Sequence, residues 1–193
     1  MTATHLALIQ PRSSCEDAAT MPRPASADIA ALAHAHGRLV FAAAYRVLGD
    51  AALAEDVQQD VFLRLLEADT DGVRSWPAYL SAAATRLAID HVRRQQRWRR
   101  LVPAWLLQAQ QSEPGADAAS LDAERATRLR HALSRLKPRE AECFALRFVQ
   151  DMDIPTIAAA LALTANHVSV LLHRATRALE LQLRETPTPE TTP

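Results

Sequence analysis

The stretch LAEDVQQDVFLRLL, residues 53–66, places an apolar side chain at every fourth position: Leu53, Val57, Val61 and Leu65. As a strand, this segment would put Glu55 and Gln59 on the same face as Leu53 and Val57. As a helix, positions four apart stack one above the other and the charged residues turn outward. Few segments elsewhere alternate apolar with polar, and the chain holds only 4 glycines among 193 residues. The spacing therefore predicts an all-α protein, and an apolar share of 49% is enough to build a core.

The helices fall into two groups. In the first, Asp28 can cap a helix whose inner face holds Leu32, Leu39, Val40 and Leu48. Gly49–Asp50 breaks it, and Asp50 can cap the helix of residues 53–66, with Phe62 and Leu66 beside its apolar stripe. Ser75 can cap a third helix, with Pro77 in the first turn where a missing N–H costs nothing. That helix carries Leu80, Ala84 and Leu87, with Ile89 and Val92 beside them, and runs into a cluster of arginines. The second group reads as a helix to Leu136, a break at Lys137–Pro138, a helix through Val149, a short helix near 154–161, and a last one near 165–183. Two small helical domains are thus expected, at 28–100 and 125–185. A flexible linker at 101–124 joins them, containing Pro114–Gly115 and small residues. Residues 1–27 and 186–193, rich in Pro, Thr, Ser and Ala, are expected to be disordered tails.

Charge is divided sharply. The formal net charge is zero, with 22 basic and 22 acidic residues. Yet residues 50–71 hold seven acids against Arg64, whereas 72–100 hold seven arginines against Asp90, and 125–184 hold ten basic residues against five acids. One acidic helix and two basic modules imply different partners for different faces. The two cysteines, Cys15 and Cys143, form no metal or redox motif and read as a tail thiol and a small core residue. The start, MTATHLALIQPR, has no basic segment followed by a long apolar run, and no later run is long enough to span a membrane. A cytoplasmic location is expected.

Two segments carry the functional signal. IPTIAAALALTANHVSVLLHRATRAL, residues 154–179, has the layout of a helix-turn-helix. Ile157 and Leu161 face inward from its first helix; Thr164 can cap the second, whose Val168, Leu171 or Leu172, Ala175 and Leu179 face inward. In such a unit the second helix enters the major groove. That leaves Asn166, His167 and Ser169 for base edges, with His173 and Arg174 one turn on and Arg177 for phosphate. The turn holds Ala162 where glycine is usual. The other segment, DHVRRQQRWRR at 90–100, ends with Arg93, Arg94, Arg97, Arg99 and Arg100. Two arginines suffice to complement a helix C-terminus; five with an interleaved aromatic suit a phosphate backbone. Trp98 reads as a packing anchor rather than a base-stacker. The acidic face of Glu55, Asp56, Gln59 and Asp60 suits a protein partner, since it would repel DNA.

Together, YRVLGDAALAEDVQQDVFLRLL, WPAYLSAAATRLAIDHVRR and LSRLKPREAECFALRFVQDMDIPTIAAALALTANHVSVLLHRATRAL resemble an extracytoplasmic-function (ECF) sigma factor, a two-domain member of the sigma-70 family. The resemblance covers about residues 28–183. It implies that region 2, at 28–100, docks on core RNA polymerase through Asp56, Gln59, Asp60 and Arg64. It implies that the next helix opens and reads the −10 promoter element, with Arg86, Asp90, His91, Arg93, Arg94 and Arg97 on duplex or melted strand. The family's frequent Ala-Arg-Asn is Ala84-Thr85-Arg86 here. Region 4, at 125–185, would read the −35 element through Asn166, His167, Ser169, His173, Arg174 and Arg177. The short connection before VRSWPAYL resembles the ferric-siderophore-uptake (FecI-like) subgroup, whose members are commonly governed by an inner-membrane anti-sigma factor.

A stand-alone helix-turn-helix regulator is the alternative. It accounts for the C-terminal half but leaves the acidic helix and the arginine cluster without a role. An enzyme is disfavoured: the sequence has no nucleotide-cradling glycine loop, no spaced metal ligands and no nucleophile motif, and the two histidines of His34-Ala35-His36 do not face each other on a helix. No catalytic residue, metal, cofactor or small-molecule substrate is expected.

Overall fold

A computed structural model describes residues 26–68, 70, 72–101 and 119–185. Among these there are seven helices and no strand: α1 (Ser26–Leu48), α2 (Ala51–Glu67), α3 (Trp76–Leu101), α4 (Ala119–Arg135), α5 (Pro138–Phe148), α6 (Ile154–Leu161) and α7 (Ala165–Glu185). Residues 1–25, 102–118 and 186–193, where most of the expected tails and linker fall, lie outside the described residues. Regular structure nevertheless reaches into those expected segments: α1 starts at Ser26, α3 ends at Leu101, and α4 starts at Ala119 rather than after 124. The sequence Ala119–Arg135 is rich in Ala, Leu, Glu and Arg, which lose little freedom in a helix.

The breaks are made as the sequence dictates. Gly49 adopts φ +68°, a left-handed turn that glycine enters without strain, and Asp50 then caps α2 by accepting from the Leu53 N–H at 3.0 Å. Ser75 lies at a longer 3.5 Å from the Ala78 N–H at the start of α3. Pro138 opens α5, where its missing N–H belongs to the unbonded first turn. Asp153 accepts from the Thr156 N–H at 2.8 Å and caps α6; this bond holds its carboxyl below the usual carboxylate range. Thr164 accepts from the His167 N–H at 3.2 Å and caps α7.

The first core is built by α1, α2 and α3. Val40, Ala43, Val47, Ala54, Val57, Val61, Leu65, Leu80 and Ala84 are all buried in it, so the four-residue stripe of α2 faces inward as its spacing requires. The second core gathers Cys143, Leu146, Ile157, Ala158, Val168 and Leu171. Between the two inward candidates on α7, Leu171 is the buried one and Leu172 lies at the edge. Burial raises the Cys143 thiol pKa to about 11, so this cysteine is a packing residue and not a reactive thiolate.

The cores are not separate. Ala82 of α3 is buried in the C-terminal one, while Leu133, Leu136, Ala141, Ala145 and Ala175 of the C-terminal half join the N-terminal one. The cause lies in α3, which is apolar on more than one face. Leu80, Ala84, Leu87 and Ala88 are buried, and so are Ala82, Thr85, Ile89 and Val92. A helix of that pattern needs partners on two sides. It finds α1 and α2 on one and α4, α5 and α6 on the other.

Candidate functional site

The acidic helix presents its proposed docking residues to solvent. Asp56, Gln59, Asp60 and Arg64 are all exposed on α2, because the Val57–Val61–Leu65 stripe is turned into the core. Arg64 and Asp60 approach to 3.9 Å with both side chains more than half exposed, an ion pair that holds little energy. Beside these residues the surface is apolar. Leu63 is 60% and Leu66 50% exposed, which corrects the expectation that Leu66 lies against the core. Leu66 is one residue past Leu65, so it turns about 100° away from the stripe at 3.6 residues per turn. With Ile29, Phe62 and Gln59 these leucines line an open groove of about 610 Å³. Acids beside exposed leucines make a face that offers both charge steering and apolar burial to a protein.

The basic end of α3 is divided. Arg94 and Arg97 are exposed, whereas Asp90, His91 and Arg93 are partly buried. Arg93 Nη1 donates to the Leu136 carbonyl at 3.0 Å. That carbonyl lies just beyond the last turn of α4, where helix carbonyls lack internal partners and attract cations. Arg86 is exposed, yet it and Asp90 act electrostatically on Glu142 of α5. Glu142 has a side chain only 4% exposed; one carboxylate oxygen accepts from Arg139 at 2.9 Å and the other has no partner. Burial raises its pKa, and Arg139 draws it back down. Trp98 is 48% exposed, so half of its surface faces solvent and it is not the buried anchor that the sequence suggests.

The helix-turn-helix forms in the C-terminal half. Ala162 takes the left-handed conformation at φ 53°, ψ 44°, so the turn is made even without glycine. The Leu163 N–H donates to the Ala158 carbonyl at 2.9 Å and closes it. On α7, Val168, Leu171 and Ala175 turn inward, while Asn166, His167, Ser169, His173, Arg174 and Arg177 are all exposed. Val170, 39% exposed, lies among them. The Ser169 hydroxyl donates to the Ala165 carbonyl at 3.0 Å, so only its lone pairs face outward.

Comparison with known proteins fits this arrangement. Residues 32–98 match the model of sigma-70 region 2, and residues 126–179 match that of sigma-70 region 4. The ECF RNA polymerase sigma factor SigL of Mycobacterium tuberculosis is 32% identical over 160 residues, covering 80% of this chain and 88% of SigL. This chain belongs to the ECF sigma factors of the sigma-70 family. The same organism's probable ECF sigma factor SigI is 32% identical over 158 residues, covering 77% of this chain and 53% of SigI. BldN of Streptomyces coelicolor is 30% identical over 138 residues, covering 70% of this chain and 52% of BldN. This sigma factor therefore spans about half the length of SigI and BldN. A solved structure of CnrH in complex with the cytosolic domain of CnrY overlaps it with a TM-score of 0.49 at 22% identity, covering 84% of this chain and 92% of CnrH.

Several residues at these faces carry no clear sequence signal. Leu63 and Leu66 show only as apolar residues out of phase with the α2 stripe. Glu142 is a charge between apolar neighbours on α5, a pattern that marks a buried polar site. Gln150, which accepts from Arg46 Nη1 and donates to the Ala43 carbonyl, both of α1, has none. Among the described residues no helix by itself is long and apolar enough to cross a membrane.

Proposed function

We propose that this protein is an alternative sigma factor that binds core RNA polymerase and directs it to promoters of a particular regulon. The observation that carries this is the separation of faces within one ECF family chain. An acidic, leucine-bearing face stands on α2, and an exposed, mostly polar face stands on α7. The α2 face, through Asp56, Gln59, Asp60 and Arg64, docks on polymerase. The α3 residues Arg86, Asp90, His91, Arg93, Arg94 and Arg97 meet the −10 element, and the α7 residues Asn166, His167, Ser169, His173, Arg174 and Arg177 meet the −35 element. Phosphate contacts set affinity and base-edge contacts set sequence. The role involves no catalysis of its own and takes place in the cytoplasm.

The finer assignment within the family rests on the short connection from α2 to α3, which spans only residues 68–75. It supports membership of the ferric-siderophore-uptake subgroup and control by an anti-sigma factor, with an inner-membrane protein as the natural source of the signal. Adjacent genes for such a protein and for an outer-membrane receptor would bear this out, and their absence would count against it.

The decisive experiment is a pull-down with core polymerase, followed by reconstituted transcription. Gln59→Ala with Asp60→Ala should lower polymerase association while circular dichroism stays unchanged, because both side chains are exposed. Wild-type protein that neither binds polymerase nor directs transcription, while still binding DNA, would favour a stand-alone regulator.

A further inference from the structure

We propose that Val170 reads a base directly: it meets the 5-methyl group of a thymine and so selects an A·T pair in the −35 element. This deepens the −35 reading of α7 given above and rests on it.

The surface neighbours of a helical residue lie three and four positions away. For Val170 these are Asn166, His167, His173 and Arg174, and all four are exposed. Val170 therefore stands at the centre of the proposed reading face. It is 39% exposed and lies outside both apolar cores. The seating of α7 falls to Val168, Leu171 and Ala175, which are buried. At about 100° per residue, Val170 is turned well away from both Val168 and Leu171. A lone exposed valine is ordinary on a protein surface. One ringed by the four side chains that face the major groove is carried onto a base edge whenever they are.

The chemistry of those edges leaves valine one good partner. In the major groove guanine shows two acceptors, cytosine an amino donor, and adenine an acceptor and a donor. Thymine shows an acceptor and a methyl group. A valine laid over guanine O6 or cytosine N4 strips water from a polar group and returns no hydrogen bond. Laid over the thymine methyl, it buries apolar surface on both sides at no such cost. Its branched Cβ also holds χ1 in essentially one well on a helix, so the two methyl groups arrive already placed.

The adjacent hydroxyl is compatible with the same pair. Ser169 Oγ donates its hydrogen to the Ala165 carbonyl at 3.0 Å, which leaves an acceptor facing outward. An acceptor suits an amino group, adenine N6 or cytosine N4. An A·T pair carries an amino group and a methyl group together, whereas a G·C pair has no methyl to offer.

The test uses holoenzyme reconstituted from the full chain and core polymerase. Selection from DNA duplexes randomised across both promoter elements gives the bound −35 sequence, in which an A·T pair is expected at a fixed position. Each thymine of that element is then replaced by deoxyuridine, which removes the methyl and keeps every pairing group. One replacement should lower affinity about fourfold, the worth of one buried methyl-sized group. In Val170→Ala the same replacement should cost less than about twofold, with circular dichroism unchanged, since the site is exposed and alanine favours helix. A selected −35 sequence with no fixed A·T pair would overturn the assignment, as would deoxyuridine that costs nothing at any position. An equal deoxyuridine cost in wild type and Val170→Ala would overturn it too, by placing the methyl's effect in the DNA itself. The −35 reading fails by a different result: no sequence preference in that region, or a preference that Asn166→Ala with Arg174→Ala leaves unchanged.

Discussion

The first turns of α7 and the second half of α3 carry similar polar and basic chemistry, yet α7 shows its whole proposed reading face to solvent while α3 keeps half of its own partly buried beside α4, α5 and α6. The difference lies in how apolar residues are arranged around each helix. On α7 the inward residues Val168, Leu171 and Ala175 form one stripe, and the exposed side is mostly polar, with Val170 and Leu181 as its apolar members. On α3 Leu80, Ala84, Leu87 and Ala88 are buried, but so are Ala82, Thr85, Ile89 and Val92. One stripe asks for one partner, and two ask for two. A sequence that gives α3 a second apolar side thereby gives it a cover, and the polar residues between the sides are covered too.

The sharpest way to break this comparison is to remove the cover. Ile157 is fully buried, and Ala82 packs in the same core. Ile157→Ala should destabilise the C-terminal half by about 2–5 kcal/mol, the usual cost of cutting a buried aliphatic side chain back to Ala. In urea titrations followed by circular dichroism, that half should unfold first and the α1–α3 core later. The α7 reading face would be lost and the α3 stripe uncovered by one substitution. A loss below about 1 kcal/mol would mean the second core is not packed as described.

Much of this was legible in the sequence because it depends on local periodicity. The α2 stripe, the breaks at Gly49–Asp50 and Lys137–Pro138, the caps Asp50 and Thr164, and the helix-turn-helix are written within a few residues of where they act. So is the exposure of Asp56, Gln59, Asp60 and the α7 reading residues, which follows once the inward stripe is known. The packing of the two halves was not legible. Gln150 meets Ala43 from 107 positions away, and Arg93 meets Leu136 from 43 away. No periodicity encodes such a pairing. The extra apolar side of α3 shows in the sequence as Ile89 and Val92 beside the Leu80–Ala84–Leu87 face, but nothing local says which helices cover it. Trp98 departs from the packing expectation because, in the last turns of α3, its indole is left half exposed.

Salt dependence sharpens the comparison within α3 itself. Arg93 is engaged by the Leu136 carbonyl, while its neighbour Arg94 is exposed. On the proposed −10 role each contributes a phosphate contact in the promoter complex with polymerase, so Arg93→Ala with Arg94→Ala should reduce the slope of log affinity against log salt by about 2. In the free chain only Arg94 is available, and Arg94→Ala by itself should reduce the slope by about 1. Fluorescence anisotropy on duplex DNA at several salt concentrations reads both. Equal slope losses for the two single variants in the free chain would show that Arg93 is as open as Arg94, and would erase the contrast.

The smallest effect concerns the turn that sets α7. Ala162 holds φ 53°, where the Cβ of an L-residue is crowded by its own backbone at a cost of about 1–2 kcal/mol. Ala162→Gly removes that crowding but gives the unfolded chain more freedom, an opposing term of about 0.5–1 kcal/mol. The net expectation is a gain of about 0.5–1 kcal/mol, or a rise of a few degrees in Tm. Ala162 is exposed and its N–H bonds stay within the turn, at Ala158 and Ala159, so the substitution should leave the packing of α4, α5 and α6 on α3 as it is. A loss of stability would mean that the methyl group contributes packing the turn needs. Changed amide-exchange protection in α3 would mean that the angle between α6 and α7 also sets how the C-terminal helices pack on α3, and the faces of α3 and α7 would then be mechanically coupled rather than independent.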